Sequence, residues 1–149
     1  MNISEFLTIT SAIVPEREAV IFEGKRIAFD RLQDRVNRLA NAMAELGVGK
    51  GDRVAMWLPN GVEFLASFFG ILKMGAVALP MNILFKEREI RYILSDSGSR
   101  AVIAPAEGLE TLLAVRPSLP ALEEVLLVGG RDRPEGVRSY DELTARASD

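Results

Sequence analysis

The chain has 149 residues, of which 48% are apolar and 26% charged, with a formal net charge of −3 and neither cysteine nor histidine. That composition fits one globular domain burying roughly 68–70% of its unfolded surface, and it excludes disordered and nucleic-acid-binding classes. The missing side chains exclude disulfides, thiolate nucleophiles, cysteine zinc sites and any serine-histidine or cysteine-histidine catalytic arrangement.

Arginines and lysines are interspersed with carboxylates, as in RLQDRVNR and FKEREIR, the pattern of solvated helix faces and not of a basic patch. The start, MNISEFLTITSAIVPERE, lacks the basic segment of a signal peptide, and the longest apolar stretch, Val62 to Leu72, is too short to span about 30 Å of hydrocarbon. No transmembrane segment and a cytoplasmic location are the expectation.

In chain order, helical spacing at Ile3, Phe6, Leu7 and Ile9 predicts an opening helix over Ile3 to Val14, stopped by Pro15. EAVIFEGKRIAFD reads as an antiparallel β-hairpin joined at Gly24-Lys25. Asp30 to Gln33 has capping-box spacing, and Leu32, Val36, Leu39, Ala40, Met43 and Leu46 predict a helix that Gly47 closes. Arg53 to Leu58 reads as a buried strand, Asn60 as the cap of a helix running to about Met74, and Ala76 to Leu79 as a short strand. A helix from Lys86 to Leu94 ending near Gly98, a strand at Ala101 to Ala104, a helix at Leu109 to Val115, a strand at Glu124 to Val128 and a helix at Tyr140 to Ala147 follow. GGRDRPEG, Gly129 to Gly136, is a surface loop. The expected fold class is α/β, a mostly parallel sheet with helices on both faces and an antiparallel β-hairpin near the N-terminus.

The glycine-rich GVGKGD, Gly47 to Asp52, is the first candidate for a phosphate loop. A Walker loop needs Ser or Thr after Gly-Lys, whereas Lys50 is followed by Gly51. Its glycines also lie after a helix and before a strand, the reverse of phosphate loops, so the stretch reads as a helix terminus followed by a tight turn. LPNGVEF is better oriented, joining a strand to a helix, yet it holds one glycine and no lysine, and Asn60 reads as a cap. In KEREIRYILSD, the carboxylates Glu87, Glu89 and Asp96 sit among Arg88, Arg91 and Arg100 and read as surface ion pairs. Glu123-Glu124 shows no partner in the sequence, and VLLVGGRD, which resembles a strand feeding a glycine loop, reads as a connector. The helix from Val62 has two apolar stripes, Val62, Leu65, Phe69 and Leu72 on one and Phe64, Phe68 and Ile71 on the other. Either neighbouring elements, a further domain or a second subunit must cover both.

GDRVAMWLPN, then GAVALPMN, then YILSDSG, in that order and spacing, together with the LQDRVNRLANAMAELGVGKGDRV helix and turn, resemble the N-terminal part of an adenylate-forming (AMP-binding) acyl-CoA synthetase. The resemblance covers nearly the whole chain and implies the partial N-terminal domain of that fold, with residues 1–149 truncated before the phosphate loop. It implies a fatty-acid-CoA-ligase type of parent that uses ATP, Mg2+ and coenzyme A to convert a carboxylic acid to acyl-AMP and then to an acyl-CoA. The Ser/Thr/Gly-rich loop ending in Pro-Lys-Gly, the magnesium glutamate and the catalytic lysine of that family have no counterpart in this sequence. The expected catalytic, cofactor-binding and metal residues are therefore none, and the 149 residues alone are expected to be inactive. A homo-oligomer through exposed apolar surface is a further expectation, through the helix around Phe64 and Phe68 if it is built for assembly. The alternative reading is a stand-alone, non-catalytic α/β module that binds a nucleotide or a partner at the Pro59-Asn60 turn.

Overall fold

The computed structural model describes residues 2–131 and 133–149. Asp132, in the middle of the Gly129 to Gly136 loop and at the end of VLLVGGRD, lies outside the described residues.

Helix α1 (Ile3–Ile13) opens at Asn2, whose side-chain oxygen accepts from the Ser4 N–H at 3.1 Å. Strands β1 (Glu18–Phe22) and β2 (Lys25–Ala28) form the antiparallel hairpin. Its two-residue turn is Glu23-Gly24, one position earlier than expected, and both residues hold positive φ, 47° and 76°. Paired positive φ matches the right-handed twist of the strands, so the turn strains Glu23 in order to close the hairpin.

Helix α2 (Phe29–Glu45) starts one residue before Asp30, with Ala28 at its cap position and no side-chain capping bond. Asp30 instead accepts from the adjacent Arg31 N–H at 2.6 Å, so the capping box expected there does not form. The Phe29 N–H is already taken by the Arg17 carbonyl at 2.9 Å, which ties the helix start to the hairpin entry. At the other end Gly47 behaves as read. Its φ is 80°, its N–H reaches the Ala44 carbonyl, and the Val48 N–H reaches that of Met43, the paired bonds of a Schellman terminus.

From there strands and helices alternate through β3 (Arg53–Met56), α3 (Val62–Lys73), β4 (Val77–Pro80), α4 (Glu87–Ser97), β5 (Ala101–Pro105), α5 (Leu109–Val115), β6 (Glu124–Val128), β7 (Arg138–Ser139) and α6 (Tyr140–Arg146). The five strands β3 to β7 form one sheet in the order β4-β3-β5-β6-β7, with every pairing parallel. Strand β7 was not visible in the sequence, because two residues carry no alternation to detect.

Alternation along the buried strands divides the core. Ala55, Val102, Ala104, Val125 and Leu127 face α4 and α5, where Ile90, Leu94, Leu112 and Val115 cover them. Val54, Met56, Ala101, Ile103 and Leu126 face the other way, against Leu39 and Met43 of α2, Ile71 of α3 and Tyr140 of α6. Outside that second helix layer lies another, where Leu7 of α1 and Val20 and Ile27 of the hairpin pack on Leu32 and Val36 of α2. Helix α3 is doubly apolar because it is covered on both sides within the chain. Phe64 and Phe68 pack toward the sheet, while Leu65 and Phe69 pack toward α1 and α2. Phe68 is consequently half-buried against the sheet-side core, and its packing lends no support to an assembly surface there.

Candidate functional site

In an open parallel sheet, ligands are met at the carboxyl ends of the strands, where the strand order reverses. The chain goes from β3 outward to β4, then returns to lay β5 on the other side of β3. The crevice is therefore bounded by Trp57 to Gly61, following β3, and by Ala106 to Gly108, following β5.

That crevice is filled by the protein's own side chains. The Trp57 N–H donates to the Ile103 carbonyl at 2.9 Å, extending the β3–β5 ladder, and the Trp57 ring turns toward α4 and α5. A Cβ placed on Gly108 would lie 2.7 Å from Trp57 Cζ3, so this residue is glycine because the indole lies flush on its backbone. One loop further, a Cβ on Gly130 would meet the Ala106 Cβ at 2.8 Å. Trp57 Nε1 is buried with no hydrogen-bond partner among the described residues. Asn60 does not cap α3. Gly61 holds that position without a side-chain bond, which corrects the role expected for Asn60. Beside Asn60 and Gly61 is a depression of about 300 Å³ lined by Val20, Ile21, Phe22, Phe64 and Leu65. It offers no cation for a nucleotide's phosphates.

The GVGKG turn lies at the opposite, amino-terminal edge of the sheet. The Gly51 N–H donates to the Gly75 carbonyl at 3.0 Å, and the Lys50 stem lies against Gly75. Asp52 accepts from the Gly49 N–H at 2.8 Å and pairs with Arg100 at 2.9 Å, and Arg100 also reaches Glu123 at 2.9 Å. The turn is scaffold, tying the entries of β3, β5 and β6 together. Two sequence readings are corrected here. Arg100 pairs with Asp52 and Glu123 and not with Asp96, and Glu123-Glu124 does have partners, since Glu124 meets Arg138 at 2.9 Å. Glu87 pairs with Arg91 one turn on, as expected for a solvated helix face, whereas Glu89, read as a surface ion pair, instead accepts from the Lys86 N–H at 3.0 Å and closes the capping box of α4.

The Gly49 N–H above all holds the Asp52 carboxyl below its ordinary value of 3.8; burial opposes it, and the Arg100 guanidinium adds to the lowering. A depressed folded-state value means that stability from this group is complete above the ordinary carboxylate range and is lost as pH falls through and below it. The expected result is that the native chain loses more stability than Asp52→Asn on acidification from pH 6 to pH 3, while at pH 7 the variant is about 1 kcal/mol weaker. Urea unfolding of both proteins at the two pH values measures this; parallel losses would remove Asp52 from the account.

An open groove of about 640 Å³ lies between β2, α2 and α6, edged by Arg26, Arg31, Arg35 and Arg38 together with Asp34, Glu63 and Asp141. Mixed charge makes it a solvated seam. Arg38 pairs with Asp34 at 3.7 Å and donates to the Ala147 carbonyl at 2.8 Å, tying α2 to the end of α6. At its floor burial pushes the Tyr140 hydroxyl up to about 12, with Ser67 beside it lowering and Glu63 raising it. Ser67 Oγ is fully buried and closes no hydrogen bond of normal geometry among the described residues. Among the described residues no three carboxylates cluster as a metal site. With Lys50 at the wrong edge as well, these residues do not fit ATP or Mg2+, and no chemical step is assigned to them.

The fold defines the class: a doubly wound α/β unit with the Trp57 ring packed on Gly108 at its carboxyl edge and a glycine-rich turn, Gly47 to Gly51, at its amino edge. The chain belongs to the AMP-binding enzyme family, whose pattern matches residues 9–148. It is 38% identical over 117 residues to the long-chain-fatty-acid–CoA ligase FadD13 of Mycobacterium tuberculosis (strain CDC 1551 / Oshkosh), a match covering 77% of this chain and 23% of that ligase. It is 30% identical over 150 residues to a medium/long-chain-fatty-acid–CoA/3-oxocholest-4-en-26-oate–CoA ligase of the same strain, covering 97% of this chain and 27% of the ligase. Among solved structures, the anthranilate CoA ligase AuaEII in complex with anthranoyl-AMP superposes with a TM-score of 0.93 at 29% identity, over 99% of this chain and 28% of its own. The chain thus spans about a quarter of the length of these ligases. Among the described residues no helix is long and apolar enough to cross a membrane.

Proposed function

We propose that residues 1–149 are the N-terminal part of the large AMP-binding domain of an ATP-dependent acyl-CoA synthetase, ahead of its phosphate loop. The observation that carries this reading is the family match over residues 9–148. In the whole ligase, a carboxylate oxygen attacks the α-phosphorus of ATP and pyrophosphate leaves. The coenzyme A sulfur then attacks the acyl carbon and AMP leaves, with Mg2+ offsetting phosphate charge. Such chemistry holds two anions together, which calls for cations and oriented donors. The carboxyl edge around Trp57 and Gly108 supplies neither, so this part contributes shape and packing. No residue of it is proposed as catalytic. The substrate is a carboxylic acid, and the setting is the cytoplasm.

The test compares the 149-residue chain with a ligase-length chain containing it, each given ATP, Mg2+, coenzyme A and a panel of fatty and aromatic acids. Acid-dependent AMP release and acyl-CoA are expected only from the longer chain. With ATP alone, Trp57 emission of the short chain should show no saturable quenching. Acyl-AMP formation by the short chain, or an inactive longer chain, overturns the proposal.

A further inference from the structure

The turn between β3 and α3 holds the one Asn-Gly step of the chain, Asn60-Gly61. Asparagine followed by glycine is the pair in which a side-chain amide is least shielded from the next backbone nitrogen, because glycine has no Cβ to stand in the way. The fold leaves this step open. Asn60 is exposed and lies in the bend between the β3 ladder and the first turn of α3. Among the described residues its amide closes no hydrogen bond, and the Gly61 N–H meets no acceptor. The other four asparagines differ on both counts. Asn2 caps α1 and reaches the Leu72 carbonyl, Asn37 and Asn41 lie within α2 and bond to Gln33 and Ser148, and Asn82 accepts from the Leu84 N–H at 2.9 Å. Each is followed by a residue with a side chain: Ile3, Arg38, Ala42 and Ile83.

We infer that Asn60 is a site of spontaneous covalent modification, its side-chain amide being lost by ring closure onto Gly61. The Gly61 nitrogen gives its proton to a solvent base and attacks Asn60 Cγ. A C–N bond forms there, the bond from Cγ to the side-chain nitrogen breaks, and that nitrogen takes up a proton from water and leaves as ammonia. Water then opens the resulting succinimide at one of its two carbonyls. Breaking the new bond leaves an ordinary aspartate, whereas breaking the original peptide bond leaves isoaspartate, with the chain running through Cγ. The position of the turn favours both steps. Gly61 leads α3, whose positive amino end eases loss of the amide proton and stabilises the carboxylate of either product. Glu63 Oε2, 3.6 Å from where a Gly61 Cβ would lie, opposes part of that effect. Isoaspartate lengthens the backbone by one carbon between Leu58 and Val62, both buried, so the β-linked product has to displace the first turn of α3. The step needs only these two residues and solvent, and it stands apart from the ligase reading.

The test incubates the folded 149-residue chain at mildly alkaline pH and follows it by peptide mapping with mass spectrometry. The expected result is exchange of ammonia for water at Asn60, giving α- and β-linked aspartate together, about tenfold or more faster than at Asn82, which is also exposed in a turn. Asn60→Gln, whose longer side chain closes a six-membered ring slowly, should suppress the change with unaltered far-UV circular dichroism. Asn60→Asp, the α-linked product made directly, should melt with the native chain and above the β-linked fraction. If Asn60 stays intact in the folded chain but reacts once the chain is unfolded in urea, the fold protects the step and the inference fails. Reaction at Asn82 at an equal rate overturns it too, as does α-linked aspartate alone, the product of direct hydrolysis. A β-linked fraction that melts with Asn60→Asp removes the displacement of α3.

Discussion

Gly70→Leu should destabilise the chain by about 3 kcal/mol, lowering the melting midpoint by about 6–12 °C. Gly70 sits within α3 where it crosses α2, and a Cβ there would lie 3.1 Å from Leu39 Cδ2 and 3.2 Å from the Val36 carbonyl oxygen. Leu39 and Val36 are themselves buried, Leu39 completely, so neither can retreat into solvent. Intrinsic propensity points the other way, since replacing a mid-helix glycine ordinarily gains about 1 kcal/mol. The sign therefore separates local preference from packing. Denaturant unfolding followed by circular dichroism measures it, and a variant as stable as the native protein would mean that α2 and α3 are not in the contact described. The crossing matters because α2 and α3, with α6, cover one face of the sheet, and Phe68 and Phe69, edge to face at 5.6 Å, join the core on the sheet side of α3 to the one under α1.

The two apolar stripes of α3 are instructive about what a sequence can convey. They announce two contacts, but the stripes themselves do not say whether the second is met by α1 and α2 or by another molecule. The answer depends on the outer layer of α1 and hairpin, a long-range arrangement that no local spacing encodes. Strand positions, by contrast, were readable from runs such as Val54 to Met56 and Val125 to Leu127, because a strand buried on both faces must be apolar continuously. Boundaries slipped where a backbone bond replaced the side-chain signal. Asp30 has the right spacing for a cap, yet Arg17 and Pro15 carbonyls already hold the N–H groups of Phe29 and Asp30. The Gly47 terminus was legible because its requirement is local: a left-handed residue, where glycine is least strained. The family resemblance likewise rested on turn and strand residues, Gly51 to Asn60 above all, which the structure uses for packing.

Gly108→Ala should cost about 2 kcal/mol and shift the emission of Trp57. The reasoning depends on the backbone at Gly108, which has φ −80° and ψ −6°, a conformation open to any residue. Alanine is thus admissible there on conformational grounds and would by itself stabilise by about 0.4–1 kcal/mol through the unfolded chain. Any loss must come from the new methyl, which the geometry sets 2.7 Å from Cζ3 and 3.1 Å from Cε3 of a rigid ring whose residue is only 6% exposed. A flexible side chain could swing away, but an indole held between α4, α5 and β5 has to tilt as a unit. Trp57 is the one tryptophan, so its fluorescence reports that tilt without interference. The decisive comparison is a double-mutant cycle with Trp57→Leu. On that background Gly108→Ala should be neutral or slightly stabilising, giving a coupling of about 2 kcal/mol. If instead Gly108→Ala costs the same with and without the indole, the contact is not what keeps this position glycine. The carboxyl edge would then have room that the packing of Trp57 is held here to deny it.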